Sequence, residues 1–243
     1  VSEPLVRNDA EPRISPWGAL LSVVTSPGET FRSLGRKPPV LAPYLIHSLV
    51  GIVAIALSYS ALMDLAMEQA AAAMANQPQM TAEDMAMMQT VMRWSGGVAL
   101  VVQEIAGPWV VGLVLALVAT FFGQFQGGEV PLTSYMGMIG YARMPLDIAR
   151  LLSAVFMAVT GKQLDLSAAA LLPDGASPVL MGALQMINPF GIWYYALLAI
   201  GFAALFGREP RRGWAMPVTL FVLGVIVSAA AASIGAAFTM NVG

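Results

Sequence analysis

Long apolar stretches separated by short polar ones set the pattern of this chain. Residues 40–63 carry, tyrosines aside, one ionisable group, His47, and residues 96–122 are free of charge from Ile105 onward. Residues 136–159 are interrupted by Arg143, Asp147 and Arg150; residues 190–206 make a shorter stretch that Pro189 can open; residues 215–238 make the last. A hydrocarbon core of ~30 Å is crossed by ~20 apolar helical residues, so each stretch reads as a crossing. None shows the period-two alternation of barrel strands, and only helices or closed barrels satisfy the backbone in lipid. The pattern predicts an all-α polytopic transmembrane bundle of about five spans over residues 40–243, with residues 1–39 as a separate N-terminal segment.

The polar stretches predict short helices of their own. The run from Trp17 to Val24 has neither a basic cluster before it nor a small-residue cleavage site after it, so it reads as an interfacial helix rather than a cleavable signal peptide. Ser26-Pro27-Gly28-Glu29 combines an N-cap serine, a proline at the first helical position and a capping-box glutamate. A second helix is expected to run to about Leu34, with Phe31 and Leu34 on its apolar side. With Arg32, Arg36 and Lys37 following, the segment is expected to lie on anionic lipid. The loops 64–95 and 160–189 are long enough to hold further amphipathic helices.

Composition agrees with the pattern. Hydrophobic residues make up 58% of the 243 residues and charged residues 11%, well below the ~25% charged residues of a typical soluble domain. Mean hydropathy is +0.72. A net charge of -2 argues against a phosphate-neutralising face, so no nucleic-acid partner is expected. The absence of cysteine excludes disulfides and thiolate sites, and a single histidine excludes paired-histidine zinc motifs. Basic residues gather in the N-terminal segment (Arg7, Arg13, Arg32, Arg36, Lys37) and at Arg208, Arg211 and Arg212, whereas the loops 64–95 and 160–189 offer only Arg93 and Lys162. With about five spans, that is expected to put the N-terminus on the cytoplasmic side and the C-terminus outside.

Candidate chemistry is sparse. Half of the 16 methionines lie between Met63 and Met92. Met85-Ala86-Met87-Met88 could offer thioethers to Cu(I), but with no histidine or cysteine organised beside them, adaptable packing in a helical hairpin is the expected use. That hairpin would break at Asn76-Gln77-Pro78 and reopen on a Thr81–Asp84 capping box. No metal, cofactor or catalytic residue is predicted. Arg143, Asp147 and Arg150 share one helical face, and ionisable groups in a span turn inward. Counting 1.5 Å per residue, Arg150 would lie ~21 Å from the inner boundary and Glu104 ~12 Å from the outer one. These depths nearly coincide, so Glu104 is expected to pair with Arg150 and Asp147 to bridge back to Arg143. The cluster is either a polar pathway for an ion, headgroup or solute, or a self-neutralising lock on helix register. Two carboxylates against two arginines favour the lock. Pro145 either kinks the third span or breaks it. His47 is expected to hydrogen-bond a neighbouring helix rather than to relay protons. Gly107-Pro108 is expected to kink the second span. Gly224, Ser228, Ala232 and Ala236 form a small-residue stripe that suits internal packing and homodimerisation equally. Trp17, Trp94, Trp109, Trp193 and Trp214 fall mostly near span ends, where interfacial anchors belong.

Several short motifs carry a resemblance. Ser26-Pro27 followed by Glu29, Thr30 and Phe31 resembles the opening of bacterial members of the Yip (Ypt-interacting-protein) family of five-span proteins. Glu104-Ile105-Ala106-Gly107-Pro108-Trp109 is similar to that family's Asp-Leu-Tyr-Gly-Pro-x-Trp signature, with Glu104 in place of aspartate and Ala106 in place of tyrosine. Gly140-Tyr141 with Pro145 resembles its Gly-Tyr motif. Asn188-Pro189-Phe190-Gly191-Ile192-Trp193, with Ile200-Gly201 beyond, is similar to its opening of the fourth span. The resemblance implies a non-enzymatic membrane protein that organises membrane or scaffolds a partner membrane complex. In eukaryotic relatives this region is associated with trafficking and Rab-type GTPases. Membrane lipids, another membrane protein or a second copy are the expected partners; a carrier or channel using the charged cluster is the alternative.

Overall fold

The computed structural model describes residues 14–74, 82–126, 129–173 and 175–241. Among them every regular element is helical: α1 (Pro16–Thr25), α2 (Pro27–Leu34), α3 (Leu41–Met74), α4 (Ala82–Gln124), α5 (Leu132–Ala142), α6 (Met144–Thr160), α7 (Pro178–Gln185), α8 (Pro189–Leu205) and α9 (Ala215–Asn241), with 3-10 turns at Ala168–Leu171 and Pro210–Arg212.

Within α3, α4 and α9 lie stretches long and apolar enough to cross a membrane: Leu41–Ala70, Gln89–Gln124 and Ala215–Ala236. Their sidedness is that of a membrane protein. The outer face of α3 exposes Leu45, Leu49, Ile52, Val53 and Leu57, whereas Tyr44, His47, Ala54 and Ser58 turn inward. Apolar groups outside and polar groups inside are stable only where the surroundings are apolar.

The other two expected spans take a different form. Residues 136–159 fall on two helices, α5 and α6, that meet at Arg143. Pro145 occupies the first turn of α6, where its missing amide proton costs nothing; continuing α5 would instead have required that proton. With 11 residues α5 is too short to span by itself, and α6, with 17, is shorter than the three crossing stretches. The fourth expected span, α8, pairs with α7 through a 54° bend, and together they are long and apolar enough for either a broken crossing or a re-entrant loop.

The helical hairpin expected between Met63 and Met92 has its two helices among the described residues, but they are not separate from the spans. Instead α3 runs on to Met74 and α4 starts at Ala82, because an alanine- and methionine-rich sequence gives a helix no reason to stop. Residues 75–81, which include the expected break at Asn76-Gln77-Pro78 and Thr81, lie outside the described residues. The N-terminal helices pack into the bundle. Ala19, Leu20 and Val23 of α1 and Phe31 and Leu34 of α2 are buried in one core with Tyr135, Met138, Ile139 and Tyr141 of α5 and Leu197, Leu198 and Phe202 of α8. Ser15 rather than Ser26 supplies a side-chain cap here, accepting from Gly18 N. The small-residue stripe meets the chain itself: a Cβ on Gly182 of α7 would press on Ser228 and Ala232, and one on Gly224 would meet Met186. Ala236 continues the stripe, half-buried.

Hydrogen bonds sort the loops by side. Arg36 donates to the Glu129 carbonyl at 3.2 Å, and Arg208 donates to the side chain and carbonyl of Gln126. The segments before α3, after α4 and after α8 therefore share one end. At the other end Tyr59 donates to the Arg93 carbonyl at 2.6 Å and Arg93 pairs loosely with Asp64.

Candidate functional site: an ionisable node between α3, α4 and α6

The inward face of α3 sets Tyr44, His47, Gly51, Ala54 and Ser58 three and four residues apart, the spacing that lines up one side of a helix. His47 is fully buried. Its Nδ1 bonds Asp147 Oδ2 in the first turn of α6, and its Nε2 lies 2.9 Å from the carbonyl oxygen of Gly140 on α5. One helical turn further, Arg150 Nη1 donates to Glu104 Oε2, joining α6 to α4. Gly51 makes room for that contact, since a Cβ there would overlap Glu104 Oε2 and lie 3.0 Å from Arg150 Nη1.

The expected Glu104–Arg150 pair is therefore present, but by a different route. Its depth was counted along an unbroken third span, whereas Arg150 sits in the second turn of α6, level with Gly51. The expected Asp147–Arg143 bridge is absent: Asp147 pairs with His47, and Arg143 Nε is buried without a partner. The choice follows from burial. An enclosed imidazole with unmet ring nitrogens is costly, whereas the long Arg143 side chain is only half-buried, and a local i,i+4 pair contributes only ~0.3–0.5 kcal/mol when exposed.

Tyr44 closes the node. Its hydroxyl donates to the Met136 carbonyl at 3.2 Å, and its ring meets His47 edge-on at 5.9 Å and Trp109 at 4.9 Å. It fits because Gly112 has no side chain to collide with it. Ser48 donates to the Ile105 carbonyl at 3.1 Å, one residue past the Glu104 carbonyl that Pro108, lacking an amide proton, cannot serve; α4 nevertheless runs unbroken through Pro108. Beside the ion pair a cavity of about 450 Å³ opens, with Ser58, Glu104, Arg150, Ser153 and Gln163 on its walls.

The remaining motif residues are architectural. Gly140 packs under Pro43 and Tyr44, and the Tyr141 hydroxyl donates to the Pro16 carbonyl at 3.1 Å, tying α5 to α1. Pro189 opens α8 with Asn188 as its cap, accepting from Gly191 N at 2.7 Å. Phe190 is half-buried, and Trp193 packs against the core. Gly107 has only Gln103 near it, 3.8 Å from where a Cβ would stand, so close packing does not require it. Tyr44, Ser48 and Gly51 were not anticipated. The signal was their spacing around His47, which marks one polar face on an otherwise apolar helix. Among the described residues no group of acidic, histidine or cysteine side chains could hold a metal ion.

The motif stretches thus converge on one node: 104–109 through Glu104 and Trp109, 140–141 through the Gly140 carbonyl. The pattern of the Yip1 domain matches residues 21–232. The chain belongs to the Yip1 domain family. This Yip1-domain protein is also similar to "Membrane protein YknW" of Bacillus subtilis (strain 168), at 26% identity over 226 residues, covering 86% of this chain and 88% of that protein. No solved structure matches it. With its apolar helices, the membership makes it an integral membrane protein.

Proposed function

We propose that this Yip1-domain protein is a non-enzymatic scaffold that assists a partner membrane complex. In this reading it crosses a bacterial inner membrane about five times, with α5–α6 and α7–α8 as broken crossings, the N-terminus in the cytoplasm and the C-terminus outside. The observation that carries the proposal is the fate of the buried acids. Glu104 and Asp147 are each held by a partner inside the bundle, so each ties two helices together rather than facing an open substrate site. The outer surface is open to partners: α3 and α4 frame an apolar groove of about 580 Å³ lined by Ile55, Tyr59, Trp94, Val98 and Val101. The test is affinity isolation in mild detergent. A membrane protein should co-purify with the wild type and be retained by the D147N/R150Q variant, and recovery of the chain alone under every mild condition would count against scaffolding.

The cavity beside Glu104 and Arg150 favours a second reading, a carrier for a small solute, ion or lipid. In that case D147N/R150Q stays folded and loses flux in reconstituted vesicles, while any co-purifying partner is incidental.

A further inference from the structure

The hydrogen bonds of His47 fix a proton count. A carbonyl oxygen only accepts, so the 2.9 Å contact with Gly140 requires a proton on Nε2. A neutral imidazole has no second N–H, and its bare Nδ1 facing an ionised carboxylate would set two lone pairs against each other. The Nδ1–Asp147 bond therefore contains one more proton. It sits either on Nδ1, as imidazolium against carboxylate, or on Asp147, as a carboxylic acid donating to the ring. Both forms sum to zero charge.

Glu104 with Arg150 also sums to zero. Arg143 stays charged in any protein environment, and its Nε is buried without a partner. The node as a whole carries one positive charge in excess. Around it, α1 brings no ionisable side chain, α4 brings Glu104, α5 brings Tyr135 and Tyr141, α6 brings Arg143 and Arg150, and α8 brings Tyr194 and Tyr195.

We propose that His47 and Asp147 are a proton-binding site of the membrane domain, with Arg143 as the alternative partner of the same carboxylate. The structure holds the proton-bound form, in which Asp147 ties α6 to α3. On release the N–H or O–H bond breaks, its electron pair stays on the ring nitrogen or the carboxylate, and the proton goes to water. Neutral His47 keeps its bond to Gly140, and ionised Asp147 turns to Arg143 four residues back on its own helix. Proton loss thus cancels the excess charge and unties α6 from α3.

The chain has one histidine, so ¹⁵N-histidine labelling of the full protein in nanodiscs reports His47 alone. The expected spectrum has Nε2 protonated. The second proton appears either on Nδ1 or as a carboxylic-acid infrared band that is lost in Asp147→Asn, and it leaves as pH rises. An unprotonated Nε2, or a neutral ring beside an ionised Asp147 at every pH, overturns the site; both are read on the wild type, independent of variant folding. In Arg143→Gln the released form lacks its cation, so the proton should persist about one pH unit or more higher, the size of a close charge effect. An unchanged titration removes Arg143 from the switch.

Discussion

Replacing Glu104 by Gln and Arg150 by Met, singly and together, isolates the contact that joins α4 to α6. The side chains of Glu104 and Arg150 are 13% and 35% exposed. Removing one partner of a fully buried pair costs ~3–5 kcal/mol, and of an exposed pair under ~1 kcal/mol. Arg150→Met strands the less accessible carboxylate, so a loss of about 3 kcal/mol is expected; Glu104→Gln leaves the more accessible guanidinium on the cavity wall and should cost about 1–2 kcal/mol. The double variant strands neither charge and should fall about 2 kcal/mol short of the sum of the singles. Reversible unfolding in mixed micelles measures all four corners of the cycle. Additive losses would refute the pairing, and a larger loss for Glu104→Gln than for Arg150→Met would refute the burial argument.

Gly51→Ala should mimic the loss of that pair, because its Cβ displaces Glu104 Oε2; about 2 kcal/mol is expected in the wild type and under about 1 kcal/mol in the Glu104→Gln background, and equal costs in both would contradict it. Gly213→Ala sets a Cβ against the backbone carbonyl of Ala199, which cannot rotate away, so a loss of about 2 kcal/mol is expected. Gly235→Ala on α9 meets nothing within 4 Å and should gain up to about 1 kcal/mol from helix propensity; the same unfolding assay compares the two.

Elements whose cause is local were legible in the sequence. Pro27 and Pro189 open α2 and α8 where first-turn prolines belong, and Phe31 and Leu34 turned inward as their spacing implied. The Glu104–Arg150 pair was reachable because a charge in an apolar helix needs a partner at its own level. Asp147 was misassigned because the i,i+4 rule sees only its own helix, and the enclosed His47, 100 residues away in sequence, outbid Arg143. The docking of α1 and α2 on α5 and α8 could not be read from amphipathic helices, since the same apolar stripe suits lipid or protein. The helical hairpin expected in the methionine-rich stretch is helical on both sides of residues 75–81, but its helices are continuations of α3 and α4, because hydropathy marks where lipid could be, not where a helix ends.

The most direct measurement is cysteine accessibility, free of background because the chain has no cysteine. Single cysteines replacing the exposed Lys37, Gln124 and Glu209 should be closed to an impermeant maleimide in intact cells and open in inverted vesicles, with those replacing Asp64, Asp165 and Asn241 showing the reverse. Asn241 labelling from the same side as Lys37 would mean an even number of crossings and contradict the five-span reading, with one of the broken pairs re-entrant.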